Sequence, residues 1–104
     1  MTSTFLDSQS LGGFVRTDKS ILFRNLGTDN LKVKCLEFTN IGAIDVSLSV
    51  YQTGNISQSY QICKLILLPG WTKVFKEERI ISPNDGFEAI ASIADVVSWR
   101  VNGE

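Results

Sequence analysis

The chain has 104 residues, 43% of them hydrophobic and 20% charged, with a formal net charge of -1. That suits one globular domain around a single core, and the absence of any basic block or stripe argues against nucleic acid as a partner. Histidine is absent, which removes the commonest general base and metal ligand and excludes Ser-His-Asp and Cys-His nucleophile pairs.

Residues 1–13 are polar and rich in small side chains, ending in Leu11-Gly12-Gly13. They read as an N-terminal arm or a weak first strand that orders on a neighbour, with Phe5, Leu6 and Leu11 as its apolar anchors. The first seven residues lack the basic and apolar regions of a signal peptide. No apolar run anywhere approaches the roughly 20 residues of a membrane-spanning helix, so no membrane partner is expected. Residues 14–104 are read as the folded domain.

Residues 14–16 allow a short strand, and 20–25 a better one in which Ile21 and Phe23 alternate with Leu22 and Arg24. Gly27-Thr28-Asp29-Asn30 is a turn cluster. Residues 31–40 form a strand with a phase change: Leu31, Val33 and Cys35 share one face by period two, whereas Leu36 and Phe38 fall on the other. Such a switch requires a bulge or bend, expected near residues 34–36. After the turn Asn40-Ile41-Gly42-Ala43 comes the cleanest alternation, with Val46, Leu48 and Val50 facing in and Ser47, Ser49 and Tyr51 facing out.

Residues 60–68 are apolar on both faces, with Ile62, Lys64, Ile66 and Leu68 on one and Gln61, Cys63, Leu65 and Leu67 on the other. Either this is a central strand covered on both sides, or its outer face meets another subunit. Leu68-Pro69-Gly70-Trp71 is a tight corner, followed by a strand at 71–76. Lys76-Glu77-Glu78-Arg79 reads as a charged hairpin end or a bulged segment. Ile80-Ile81 is a short strand before a second corner, Ser82-Pro83-Asn84-Asp85-Gly86. Phe87, Ala89, Ala91 and Ile93 then share a face, and Val97, Trp99 and Val101 face inward in the last strand.

No segment sustains a helical amphipathic pattern. Strands recur about every 8–12 residues, the rhythm of a sandwich or barrel. The expected fold is all-β: a single antiparallel β-sandwich, jelly-roll or Ig-like, of about seven or eight strands with an N-terminal arm.

Little here is arranged for chemistry. Asp85 and Glu88 flank a turn, where Asx bonding and a solvated strand edge explain them better than catalysis does. Glu77 and Glu78 belong to a solvated loop. No calcium loop and no phosphate-cradling glycine loop is present, so neither a metal nor a cofactor is expected. Cys35 and Cys63 both fall in strands. A cross-strand disulfide is one option, and free buried thiols are the preferred reading in the absence of an export signal. Trp71, Trp99, Tyr51 and Tyr60 could form a sugar-stacking platform. Trp99 is in phase with the core, Trp71 suits the sandwich end or a subunit contact, and Tyr51 points outward as an interface candidate. Trp71 and Tyr51, with Tyr60, Phe75 and the arm residues Phe5, Leu6 and Leu11, are the expected contact residues of a self-associating protein.

The motifs of residues 20–104 also carry a resemblance. A strand ending in an Asn turn (Val33-Lys34-Cys35-Leu36-Glu37-Phe38-Thr39-Asn40) precedes an alternating strand (Val46-Ser47-Leu48-Ser49-Val50). The corner Leu68-Pro69-Gly70-Trp71-Thr72 follows, then the turn Ile81-Ser82-Pro83-Asn84-Asp85-Gly86-Phe87. The strands Ala89-Ile90-Ala91-Ser92 and Val96-Val97-Ser98-Trp99-Arg100-Val101 close the series. This part of the chain resembles small phage virion proteins of the type seen as capsid decoration (cement) proteins, head fibres and neck or tail adaptors. Where a Gly-Asp is common in such proteins, this chain has Asn84-Asp85-Gly86.

The resemblance implies a non-enzymatic structural protein of the virion, made in the host cytoplasm. It would form a homotrimer or other homo-oligomer and bind major capsid or neck and tail proteins. Capsid decoration is the leading reading, a phage neck or tail adaptor or fibre protein the alternative, and a small carbohydrate-binding module using Trp71 and a nearby tyrosine a further alternative.

Overall fold

The computed structural model describes residues 10–53 and 59–103, the side chains of Ser10, Leu11, Ser59 and Tyr60 excepted. Among them are nine β-strands and no helix: β1 (Ser10–Phe14), β2 (Ser20–Arg24), β3 (Leu31–Asn40), β4 (Val46–Thr53), β5 (Ser59–Leu67), β6 (Thr72–Phe75), β7 (Arg79–Ile81), β8 (Gly86–Ala91) and β9 (Val97–Gly103). They form two antiparallel sheets. One has the order β1-β9-β3-β6, with β7 also on β3, and the other has the order β2-β8-β4-β5.

Strands β6 and β7 lie along the same side of β3, against residues 36–39 and 31–33 respectively. They are one strand line interrupted at residues 76–78, so the charged segment is a bulged break and not a hairpin end. Counted this way, nine segments make eight strand lines. Residues 10–13, read as the end of an arm, pair with β9 as part of edge strand β1.

The core lies between the sheets. Leu31, Val33, Leu36, Phe38, Ile81, Val97 and Val101 face it from one side, and Phe23, Val46, Leu48, Val50, Leu67, Phe87, Ala89 and Ala91 from the other, all buried. Each large side chain among them contributes roughly 1.5–3 kcal/mol by leaving water. Phe38 and Phe75 meet edge to face with centroids 6.2 Å apart, tying β6 to the core. Phe23 and Phe87 pair at 5.7 Å across β2 and β8.

The expected break in β3 is present. Its register against β9 shifts between Val33 and Cys35, and burial passes from Leu31 and Val33 to Leu36 and Phe38. A second bulge separates Ile21 from Phe23 in β2. It overturns simple alternation there: Phe23 is buried while Ile21 is exposed. For β5 the structure excludes the first of the two readings offered by its sequence. Among the described residues it pairs only with β4 and forms a sheet edge, so it is not a central strand of the described sheet.

Two buried asparagines close the ends of the sandwich in the same way. Asn40 Nδ2 donates to the Ile44 and Leu67 carbonyls at 2.8 and 2.9 Å, and its Oδ1 accepts from Gly42 N at 2.8 Å. Asn25 Nδ2 donates to the Asp29 and Ile81 carbonyls at 2.8 and 3.0 Å, and its Oδ1 accepts from Gly27 N at 3.0 Å. Each also exchanges backbone bonds with a proline corner: Asn40 with Gly70 and Trp71, Asn25 with Asn84 and Asp85. In both corners the residue after proline has positive φ, 81° at Gly70 and 72° at Asn84. With the Leu68–Trp71 and Ser82–Asp85 backbone bonds, this is the geometry of a type II turn. Both corners carry the chain from one sheet to the other, and the ten residues of β3 span about 30 Å at the ordinary strand rise.

Candidate functional site

Of the seven expected contact residues, Tyr51, Phe75 and Trp71 have described side chains, and these three lie on different parts of the sandwich. Phe5 and Leu6 lie outside the described residues, as do the side chains of Leu11 and Tyr60. Tyr51 sits on the outer face of the four-stranded sheet, opposite Glu88, with Lys19 Nζ 4.1 Å above its ring. Phe75 points inward to Phe38 and has Lys73 Nζ 5.3 Å from its ring, so it serves mainly the core. Trp99 is half-buried and packs against that core. Of the named residues with described side chains, only Trp71 is strongly exposed, at 57%.

Around Trp71 the corner builds a surface that sequence reading only partly anticipated. Asn40 N–H donates to the Trp71 carbonyl, and its side chain holds the carbonyls of Ile44 and Leu67. The backbones of residues 41–44 and 67–71 are therefore drawn to one point at one end of the sandwich. The side chains they carry there, Ile41, Ile44, Leu68 and Trp71, are all exposed. Ile66, two residues back on the outer face of β5, is 59% exposed. Gly70 leaves this surface bare, because a Cβ there would meet nothing within 4 Å. Ile41 and Ile44 were missed because they sit in a turn. Their signal was available, since two isoleucines in a connection where polar residues suffice need a reason.

Among the described residues, Asp85 and Glu88 are engaged in structural contacts. Asp85 contributes its backbone carbonyl to the Asn25 corner. Glu88 accepts from the Thr53 hydroxyl at 3.4 Å. Cys35 and Cys63 are free, on strands of different sheets. Burial pushes the Cys63 thiol above its ordinary pKa, with Lys73 pulling the other way. Among the described residues no group of three or more Cys, Asp or Glu is placed to hold a metal ion. No protein-family model matches the chain, and no curated protein and no solved structure matches it either.

Proposed function

We propose that this protein is a non-enzymatic structural component of a bacteriophage virion, a jelly-roll sandwich that self-associates and seats on the capsid surface as a decoration protein. The strand orders support the jelly-roll form. With β6 and β7 counted as one line, each sheet has four lines, and only β4 and β5 are sequence neighbours that pair. An Ig-like sandwich would instead pair several consecutive strands, whereas jelly rolls wind between sheets and recur in viral capsid domains.

The single observation that carries the functional reading is the exposed apolar end formed by Ile41, Ile44, Leu68 and Trp71 on rigid, asparagine-locked corners. A cluster of large apolar side chains held in water marks a surface meant to be covered. With a net charge of -1, long-range attraction adds little, so contact would rest on that apolar area. The resemblance of residues 20–104 to phage decoration, fibre and adaptor proteins supplies the kind of partner.

Size-exclusion chromatography with light scattering, and co-sedimentation with undecorated phage capsids, test the reading. An oligomer that pellets with particles is expected. A strict monomer that stays in the supernatant would sink it.

A further inference from the structure

We propose that the outer face of the five-stranded sheet carries a second site, a groove that binds a neutral saccharide. It is formed by two rows of directly opposed residues, which share a face of the sheet. One row is Gly12, Arg100 and Glu37, and the other is Phe14, Ser98 and Thr39. Both rows point away from the core, since the alternate positions Val97, Val101, Leu36 and Phe38 are buried within it. Together they line a groove of about 340 Å³, within the range of roughly 300–1,000 Å³ of small-ligand sites.

The groove exists because residue 12 has no side chain. A Cβ on Gly12 would lie 2.8 Å from the Trp99 carbonyl oxygen, so the close approach of β1 to β9 demands glycine. On one side of that gap stands Phe14, 51% exposed beside the polar lining residues Glu37, Thr39, Ser98 and Arg100. On the other, Arg100 Nη1 and Glu37 Oε1 stand 3.7 Å apart, wider than the roughly 2.7–2.9 Å of a tight charge-assisted bond. A hydroxyl can enter between them, donating to the carboxylate and accepting from the guanidinium. The Thr39 hydroxyl, already 2.8 Å from that of Thr72, and the Ser98 hydroxyl extend the polar floor.

Charge selects the ligand class. An anion attracted by Arg100 meets Glu37, and a cation attracted by Glu37 meets Arg100. A flat apolar ligand would desolvate the pair without replacing its water. A sugar ring avoids all three penalties: its hydroxyls satisfy both members of the pair, and its apolar C–H face covers the exposed ring of Phe14. The site is independent of the apolar end, as Trp71 does not line it.

Amide chemical-shift mapping on the intact chain tests this, using homodisaccharides of glucose, galactose, mannose and N-acetylglucosamine up to about 10 mM, the weak-binding range. At least one sugar is expected to shift Gly12, Phe14, Thr39 and Ser98 together. Phe14→Ala should weaken that sugar about tenfold, the order of one aromatic contact. Should Phe14→Ala disturb β1, Glu37→Gln keeps the shape, removes the charge and should weaken binding likewise. Ile80→Ser, at the far end of the sandwich, should leave it unchanged. The site is overturned if no disaccharide shifts these amides, if the shifts centre on Trp71, or if folded Phe14→Ala and Glu37→Gln both bind like the parent.

Discussion

Asn25 and Asn40 are the two buried polar side chains among the described residues, and each holds one end of the sandwich. Each is fully buried and spends its amide on one local and one distant carbonyl. Replacing Asn40 by alanine leaves the Ile44 and Leu67 carbonyls and the Gly42 N–H without that partner. Urea denaturation should show a loss of about 2–4 kcal/mol, and Asn25→Ala a similar loss. Asn40→Asp should be nearly as damaging, because a carboxylate keeps the acceptor and places negative charge against two carbonyls.

The turns were legible at this scale: Gly27-Thr28-Asp29-Asn30, Asn40-Ile41-Gly42-Ala43 and the two proline corners all stand in the sequence, whereas Asn25 read as the end of a strand. Their pairing was not, since each asparagine reaches a carbonyl on a strand far along the chain. Cys63 carries a pH dependence. Its folded pKa is raised, so its share of stability is fully present below the ordinary thiol pKa and is lost as pH rises through the folded value. Alkylation of folded Cys63 at pH 8 should therefore be slower than in urea, accelerating only above the usual thiol range of about 8.5. Lys73→Ala, which removes the lowering charge, should slow it further.

At the scale of elements, the clearest success of sequence reading is β3. Its apolar positions change phase between Val33 and Leu36, and period two forbids that without an extra residue. The register shift against β9 and the break between β6 and β7 fall at the same place. Strand β5 shows where such reading stops. Residues apolar on both faces fit a covered central strand as well as an edge that meets something else, and only pairing, a non-local property, separates the two. As an edge, β5 buries Leu67 at 3% exposure and leaves Ile66 at 59%. Leu67→Ala should cost about 2–4 kcal/mol in chemical denaturation. Ile66→Ser should stay within about 0.5 kcal/mol of the parent, and any loss it causes should appear in self-association instead.

Considered whole, the sandwich has a different character at each place it meets water. Its outer sheet faces mix charged pairs such as Arg100–Glu37 with separate exposed apolar side chains such as Ile21, Ile66 and Ile80. Its Asn40 end is apolar and held by hydrogen bonds that leave those side chains little freedom to withdraw. Rigidity matters because a preformed surface loses less conformational entropy on docking than a mobile one. The double variant Ile44→Ser with Trp71→Ser removes two large exposed side chains and no described side-chain hydrogen bond. Its folding stability should remain within about 1 kcal/mol of the parent, while, if the proposed function holds, light scattering should show loss of the oligomer and capsid co-sedimentation should fail.

Salt distinguishes the cause. Apolar contact is strengthened by sulfate and is little weakened by sodium chloride at concentrations that screen surface charge over about 3–10 Å. Association of the parent protein should therefore survive 1 M sodium chloride, roughly the upper end of that screening range, and increase in ammonium sulfate. Dissociation in sodium chloride with unchanged behaviour of the double variant would move the interface to the charged sheet faces and away from the asparagine-locked end.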